Sequence, residues 1–272
     1  MTIPKFTAVV LAGDRNDQDP VAAVAGVSGK SIVPVAGTPM ILRVITAIEA
    51  SRTADNILIC GPAQNVIADC PALQNIIDDG RVSWLPPGSS PCDSANRCID
   101  RVDPSTPLLL TTADHALLKP EMLVYFLEHS IRKNADATVA LVSHDSVTAH
   151  YPDSRRTNIK FKNGNYCGCN LFALFNERGK KLISIWKQVE QNRKHPFKIL
   201  GGLLGPLNLL YFLLGRLTIN DALHSLTDRY DIVADFVPLP FPEAGIDVDT
   251  VADFNLAESL LSADLESSRE KN

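Results

Sequence analysis

The sequence lacks the features that would place the chain on a nucleic acid or around a zinc ion. It has six cysteines and no C-x-x-C pair, and Cys167-Gly168-Cys169 is too tight for ordinary zinc spacing. Basic residues form no run longer than about a pair, and a net charge of −5 argues against a nucleic-acid partner held by general electrostatics. The opening residues MTIPKF lead directly into an apolar run, so we expect no signal peptide, reduced thiols and a cytoplasmic protein.

Two common nucleotide-binding motifs are also missing. Gly29-Lys30-Ser31 has no glycine at the upstream position that G-x-x-x-x-G-K-[ST] requires. The first apolar run is not followed by G-x-G-x-x-G. These absences argue against a P-loop ATPase and against a dinucleotide-binding dehydrogenase.

The opening stretch nevertheless has the order of a phosphate site in an α/β protein. Phe6–Ala12 predicts a buried strand that ends at Gly13, and helical spacing returns only at Pro39–Ala50. Arg15 and Lys30 are the two cations of the loop between them, and either could neutralise a triphosphate. Strand, loop and helix with one or two glycines also occur in many α/β domains that bind no phosphate.

The rest of the chain alternates in the same way and predicts one α/β domain over residues 1–272. Further strands are predicted at 56–60, 82–85, 107–112 and 137–143, with helices between them, which calls for a mainly parallel sheet covered on both faces. A hairpin with an Asn-Gly turn is expected over about 151–176. An apolar helical insertion follows over about 179–227, and Asp231–Pro238 predicts a late strand.

Three anchors then stand in a familiar order: Leu11-Ala12-Gly13-Asp14-Arg15 with Lys30, Gly37-Thr38-Pro39-Met40, and the closing run Gly245–Phe254. They resemble the MobA-like nucleotidyltransferase superfamily, which includes molybdenum-cofactor guanylyltransferases and sugar-phosphate nucleotidyltransferases. Here Asp14 replaces the second glycine of the family pattern and adds a carboxylate where a triphosphate would lie. The resemblance implies a three-layer α/β/α sandwich on a Rossmann-like, mixed but mostly parallel sheet.

The resemblance also implies a reaction and a set of roles. A phosphate oxygen of a small phosphorylated acceptor would attack the α-phosphorus of an NTP and release pyrophosphate, with Mg²⁺ as the cofactor. Arg15 and Lys30 would contact the triphosphate as catalytic residues. The expected nucleotide and acceptor contacts are Leu11, Ala12, Gly13, Gly88, Ser94 and Asn170. Ser94 is expected at a helix N-terminus, where an ordinary helix cap is the alternative.

Three aspartates are the predicted magnesium ligands. Asp114 follows a buried strand, where α/β sheets bind ligands, although a turn or helix cap is the alternative. Asp247 and Asp249 are one residue apart and therefore point to the same face of an extended segment. Mg²⁺ prefers one or two carboxylates, with water and phosphate completing its shell. We expect Asp253 to cap or brace the terminal helix, and His115 to be a surface or supporting imidazole.

Two other segments allow two interpretations each. Arg155, Arg156 and Lys160 either meet an acceptor phosphate or form a solvated basic face. The apolar run at 199–218 is interpreted first as a buried helical hairpin broken at Gly205-Pro206. The second interpretation is a peripheral membrane or lipid-substrate contact flanked by Lys194, Lys198 and Arg216.

Two rival functions remain. The chain could be a nucleotide- or lipid-binding protein that keeps the scaffold without turnover, which Asp14 favours. A sugar transferase normally shows D-x-D after a mid-chain strand, and Asp114-His115-Ala116 does not supply it. Asp247-Val248-Asp249 has that spelling but lies after the last predicted strand. The sequence does not predict the NTP, the acceptor or the oligomeric state.

Overall fold

A computed structural model describes residues 3–14, 19–191 and 196–269 of the chain. Side chains are described throughout these ranges except at 188–189, 191, 196–201 and 265–269. Arg15, a predicted triphosphate contact, and Lys194, a predicted flank of the apolar run, lie outside the described residues.

The described part of the chain contains the following strands: β1 Phe6–Leu11, β2 Pro34–Val35, β3 Thr38–Pro39, β4 Ala54–Cys60, β5 Ser83–Leu85, β6 Leu108–Thr112, β7 Ala137–Ser143, β8 Ile159–Phe161, β9 Gly164–Leu174 and β10 Ala234–Leu239. Its α-helices are α1 Pro20–Ala25, α2 Met40–Ser51, α3 Gln64–Ala68, α4 Pro71–Asp78, α5 Pro91–Ile99, α6 Pro120–Arg132, α7 His144–His150, α8 Glu177–Lys180, α9 Leu182–Gln191, α10 Pro196–Leu213, α11 Ile219–Tyr230 and α12 Val251–Arg269. Short 3₁₀ turns occupy Lys30–Ile32 and Pro242–Gly245.

One mixed sheet organises these elements. Its order is β10-β7-β9-β6-β1-β4-β5, with β8 paired to β9. β1 pairs parallel with β4 and β6, β4 with β5, and β7 with β10. β9 runs antiparallel between β6 and β7. The mostly parallel mixed sheet expected from the resemblance is therefore confirmed.

Both faces of the sheet are covered, which explains why every residue of β1 is buried. Its even-numbered side chains, such as Val10, join a core with α2 and α6. Its odd-numbered side chains Val9 and Leu11 join a second core with residues of α5 and α9. The three-layer α/β/α arrangement is confirmed, and the local β-rich pattern of Phe6–Ala12 was sufficient to place its central strand.

Most predicted elements occur within a few residues of their expected bounds. The hairpin forms from β8 and β9, with Phe161 opposite Gly164. α5 begins at Pro91, so Ser90 is its N-cap and accepts from the Asp93 amide. Ser94 is the fourth residue of α5 and lies in its first turn, so the alternative in which Ser94 itself caps the helix is wrong.

The apolar run at 199–218 differs from its first interpretation. α10 breaks at Gly205, whose φ of 76° is not helical, so the predicted break at Gly205-Pro206 is confirmed. The prediction that this hairpin is buried is wrong, because the side chains of Leu207, Leu213 and Leu214 are more than half exposed. Among the helices at residues 3–14, 19–191 and 196–269, none is long and apolar enough to cross a membrane.

Candidate active site

The glycine turn after β1 and the residues after β6 lie side by side at the carboxyl edge of the sheet. The Ala113 amide donates to the Leu11 carbonyl at 2.9 Å, and the Ala12 amide donates to the Cys60 carbonyl at 2.8 Å. Gly61 has a φ of 82°, and a Cβ there would lie 2.7 Å from the Gly13 nitrogen. Only glycine fits this approach without strain, so the end of β4 is fitted closely to the turn.

Lys30 joins two of the predicted magnesium ligands. Its Nζ lies 2.7 Å from Oδ2 of Asp114 and 2.6 Å from Oδ1 of Asp249. Burial opposes the charge of Lys30, but the two carboxylates outweigh it and raise the pKa of the ammonium. Burial likewise opposes the charge of Asp114, yet the Lys30 charge and hydrogen bond lower the pKa of that carboxyl. Both groups are therefore ionised at neutral pH.

Asp14, which replaces the family glycine, fixes the loop that carries Lys30. Its Oδ1 accepts from the Lys30 amide at 3.0 Å. Burial raises the pKa of the Asp14 carboxyl, although the backbone hydrogen bond partly opposes the rise. The carboxylate thus has a structural partner within the chain, and its charge still lies in the loop expected to meet a triphosphate.

Asp114 is held from both sides. The Thr112 hydroxyl donates to its Oδ1 at 2.6 Å, and the Val248 amide donates to its carbonyl at 3.0 Å. The second bond fastens the closing Asp247-Val248-Asp249 segment to the end of β6. Residues separated by more than 130 positions in the sequence are therefore brought to one edge of the sheet.

Asp247 is held by hydrogen bonds from β9 and from the segment before β8. Asn170 Nδ2 donates to its Oδ2 at 3.0 Å, and Arg156 Nη1 donates to its Oδ1 and, at 3.0 Å, to its carbonyl. Burial and the charges of Asp114 and Asp249 raise the pKa of the Asp247 carboxyl. Asn170 therefore orients a predicted metal ligand in this structure.

Arg156 is a residue of this region whose burial the sequence did not predict. Its side chain is only 7 % exposed and pairs with the carboxylates of Asp247 and Asp253. The interpretation as a solvated basic face is therefore wrong for Arg156, whose side chain is buried. Arg155 and Lys160 are exposed, as that interpretation expects. No local feature of the sequence marks Arg156 as buried, because the two aspartates that it pairs with are 91 and 97 residues away.

Asp253 braces the start of α12, as expected. Its Oδ2 accepts from the Thr250 amide at 2.9 Å and from the Thr250 hydroxyl at 2.8 Å. The same oxygen accepts from the Asp249 amide at 3.2 Å. Together with Arg156, these bonds hold the closing acidic segment in one conformation.

The loop before α5 approaches the glycine turn from the other side. The Gly88 amide donates to the buried Ser94 hydroxyl at 2.9 Å. A Cβ at Gly88 would lie 2.6 Å from the Ser94 nitrogen, so this close approach requires glycine. A Cβ at Gly13 would lie 3.2 Å from that of Pro87. Gly13, Gly88 and Ser94 thus line one side of the same edge.

His115 is buried, so of the two expected roles the surface imidazole is wrong and the supporting imidazole stays a prediction. Burial lowers its pKa to about 4, against the opposing charge of Asp114. The ring is neutral near pH 7, and His115 directly follows Asp114 in the sequence.

Comparison with known proteins identifies the family of this chain. The family profile of the MobA-like NTP transferase domain matches residues 8–199, which is more than half of the chain. This chain belongs to the MobA-like NTP transferase family. The family assignment confirms the resemblance read from the opening loop and makes the chain a member of a nucleotidyltransferase enzyme family. A search of curated proteins found no match.

Solved structures agree with this assignment. A hypothetical transferase from Thermus thermophilus is 25 % identical with a TM-score of 0.73, over 92 % of this chain and 99 % of its own. A 4-diphosphocytidyl-2C-methyl-D-erythritol synthase from Anaerococcus prevotii is 14 % identical with a TM-score of 0.56, over 96 % and 100 %. A CMP:2-keto-3-deoxy-manno-octonic acid synthetase solved with CTP is 11 % identical with a TM-score of 0.57, over 96 % and 99 %. The last two show a shared fold.

The site of this MobA-like protein has the donor chemistry for a hard cation. Among residues 3–14, 19–191 and 196–269, no group of three or more His, Cys, Asp or Glu side chains is already arranged around one metal position. The described site nevertheless has more carboxylates than cations: Asp14, Asp114, Asp247, Asp249 and Asp253 against Lys30 and Arg156. Asp114 and Asp249 already share one cation, the Lys30 ammonium. Oxygen donors of this kind fit Mg²⁺.

Proposed function

We propose that this protein transfers a nucleoside monophosphate from an NTP to a small phosphorylated acceptor, with release of pyrophosphate and dependence on Mg²⁺. The observation that carries the proposal is the Lys30–Asp114–Asp249 cluster beside the glycine turn, at the carboxyl edge of β1 and β6. Ligands of open α/β sheets bind at this edge. A fold neighbour solved with CTP is consistent with an NTP donor.

Catalysis in this site rests on alignment and charge. The acceptor phosphate is ionised at neutral pH, so no general base is needed, and the buried neutral His115 is not required as one. Lys30 keeps its charge and is proposed to neutralise the triphosphate together with Arg15. Bound Mg²⁺, proposed to be held by Asp114 with Asp247 or Asp249, would supply further charge neutralisation at the phosphate oxygens.

We assign a part of the substrates to each side of the candidate active site from the residues that lie there. The Leu11, Ala12 and Gly13 turn is proposed to approach the phosphates, and the loop with Gly88 and Ser94 to approach the base. The acceptor is proposed to enter on the opposite side, where Asn170 and Arg156 hold Asp247. The six cysteines are all free, which supports a cytoplasmic location.

Pyrophosphate release tests the function. We would assay each NTP with sugar phosphates, polyol phosphates and a molybdopterin-type acceptor, with Mg²⁺ and with EDTA. Lys30→Ala is expected to raise the KM for NTP and lower kcat, because it removes the cation shared by two carboxylates. Lys5→Ala is the matched control, since Lys5 is an exposed lysine paired with Asp55 outside the site. Unchanged kinetics in Lys30→Ala would make Lys30 a structural lysine only.

Asp14 favours a second candidate, a nucleotide-binding protein without turnover. Its carboxylate holds the Lys30 amide and places a negative charge in the phosphate loop. Equilibrium dialysis with each NTP separates the two functions when run beside the pyrophosphate assay. Tight NTP binding with no pyrophosphate released from any acceptor in the panel supports the binding protein.

A further inference from the structure

The Lys30 ammonium fills the gap between two of the proposed magnesium ligands. Its Nζ lies 2.7 Å from Oδ2 of Asp114 and 2.6 Å from Oδ1 of Asp249. A divalent ion that bound these two oxygens would need the same lone pairs, and two positive charges so close together repel strongly. The ammonium and the ion therefore exclude each other from this position.

The Lys30 side chain lies where an incoming ligand can displace it. Its partner Asp249 is 57 % exposed, so this side of the ion pair borders solvent. Arg156, the other cation of the described site, is 7 % exposed and is fixed by two carboxylates and by the Asp247 carbonyl. Of these two cations, Lys30 is therefore the one that a ligand entering from solvent can reach and move.

The backbone of Lys30 is anchored, whereas its side chain is long. The Lys30 amide donates to Oδ1 of Asp14 at 3.0 Å. Ser31 and Ile32, which complete the same 3₁₀ turn, are buried. A lysine ammonium stands on a flexible four-carbon stem, so it can change partners while the backbone stays in place. Asp114 lies beside the glycine turn, where the triphosphate is proposed to bind, so a new anionic partner would be close to the ammonium.

We propose that Lys30 is an internal counter-ion that closes the metal position between Asp114 and Asp249 until an NTP binds. The ammonium then moves from the carboxylates to the triphosphate, which frees both carboxylates for the divalent ion. The inference rests on the proposed function and adds the order of loading, because without NTP the site binds the ion weakly. By thermodynamic reciprocity, the ion and the NTP strengthen each other's binding.

Mn²⁺ binding in the absence of NTP tests the closed state. Mn²⁺ prefers the same oxygen donors as Mg²⁺, and the electron paramagnetic resonance signal of the free ion gives the bound fraction. Lys30→Met keeps most of the length of the side chain and removes its charge, so the Mn²⁺ affinity should rise at least about tenfold. Lys30→Arg keeps a cation and should stay within about threefold of wild type. Lys5→Met is the matched control and should change nothing, because Lys5 is exposed and pairs with Asp55 outside the site.

A double variant shows whether the gained ion is bound at this site. Adding Asp114→Asn to Lys30→Met should abolish the gain, because it removes one of the two freed carboxylates. Lys30→Gln is a second probe of the charge, since its amide is neutral but still donates a hydrogen bond and so keeps the fold if Lys30→Met unfolds. Its Mn²⁺ affinity should also rise above that of wild type, with circular dichroism as the check on folding of each variant.

Metal-free NTP binding tests where the ammonium goes. In EDTA, equilibrium dialysis should show Asp249→Asn binding NTP at least about threefold more tightly than wild type, because the ammonium loses one of its two partners. That gain should vanish when Lys30→Met is added. Relief of repulsion between Asp249 and the triphosphate would instead leave the gain in place with Lys30→Met, and that result would contradict the move of the ammonium.

Two further results would overturn the inference. One is a folded Lys30→Met or Lys30→Gln protein that binds Mn²⁺ no more tightly than wild type. The other is a gain in Mn²⁺ affinity that survives Asp114→Asn, which would place the ion elsewhere. Pyrophosphate release is measured separately. Wild-type turnover with no gain in Lys30→Met refutes the counter-ion alone, and a gain without turnover on any acceptor refutes the transferase function and leaves the closed metal position standing.

Discussion

Replacing Arg156 by methionine should destabilise the protein strongly. The Arg156 side chain is 7 % exposed and donates to the carboxylates of Asp247 and Asp253. Methionine keeps most of the apolar volume and removes the charge, so two partly or wholly buried carboxylates lose their cation. Breaking a buried ion pair from one side costs about 3–5 kcal/mol. That is a large share of a typical unfolding free energy of about 5–15 kcal/mol.

Urea unfolding followed by far-UV circular dichroism measures the loss. Arg155→Met is the control, because Arg155 is the exposed neighbour and surface changes usually stay within about 0.5 kcal/mol. Adding Asp253→Asn to Arg156→Met should recover part of the loss, since the neutral amide removes one of the two unpaired charges and leaves only that of Asp247. A loss below about 1 kcal/mol in Arg156→Met would refute the reasoning, because it would show the pair to be solvated.

Two further predictions concern charge near the site. Between pH 6.5 and about 4 the unfolded chain protonates His115 while the folded chain does not, so metal-free protein should lose up to about 3 kcal/mol of stability as the pH falls. His115→Asn should remove that loss, exposed His150→Asn should keep it, and equal slopes in wild type and His115→Asn would contradict the assignment. Asp14→Asn keeps an acceptor for the Lys30 amide and removes a charge, so the KM for NTP should fall about fivefold, or ~1 kcal/mol. A higher KM would show that the carboxylate itself is needed.

The parts of the fold that depend on local pattern were predictable from the sequence. Phe6–Ala12 is a buried strand because its apolar, β-rich residues serve both faces of a covered sheet. The place of Asp114 followed from the rule that ligands bind at the carboxyl ends of parallel strands. The ion pairs of Lys30 with Asp114 and Asp249 were not predicted. Pro91 is a signal that would have placed the α5 start correctly, because proline favours the first helical position.

The parts that depend on tertiary contacts were not predictable. Arg156 has no local feature that distinguishes it from exposed Arg155, since its partners come from the far end of the chain. Hydropathy found the apolar run around α10 but not which of its sides the protein covers. The buried hairpin was the wrong interpretation because α11 packs against only one side of that helix.

The most direct test of the central claim is pyrophosphate release by Asp114→Asn. Asparagine keeps the size of the side chain, and removing the charge takes away the group that pairs with Lys30 and is proposed to hold Mg²⁺. With circular dichroism unchanged, turnover should fall about 100-fold or more, while the exposed control Asp55→Asn should stay within about twofold of wild type. Turnover of Asp114→Asn within about threefold of wild type would contradict a catalytic cleft built on this carboxylate.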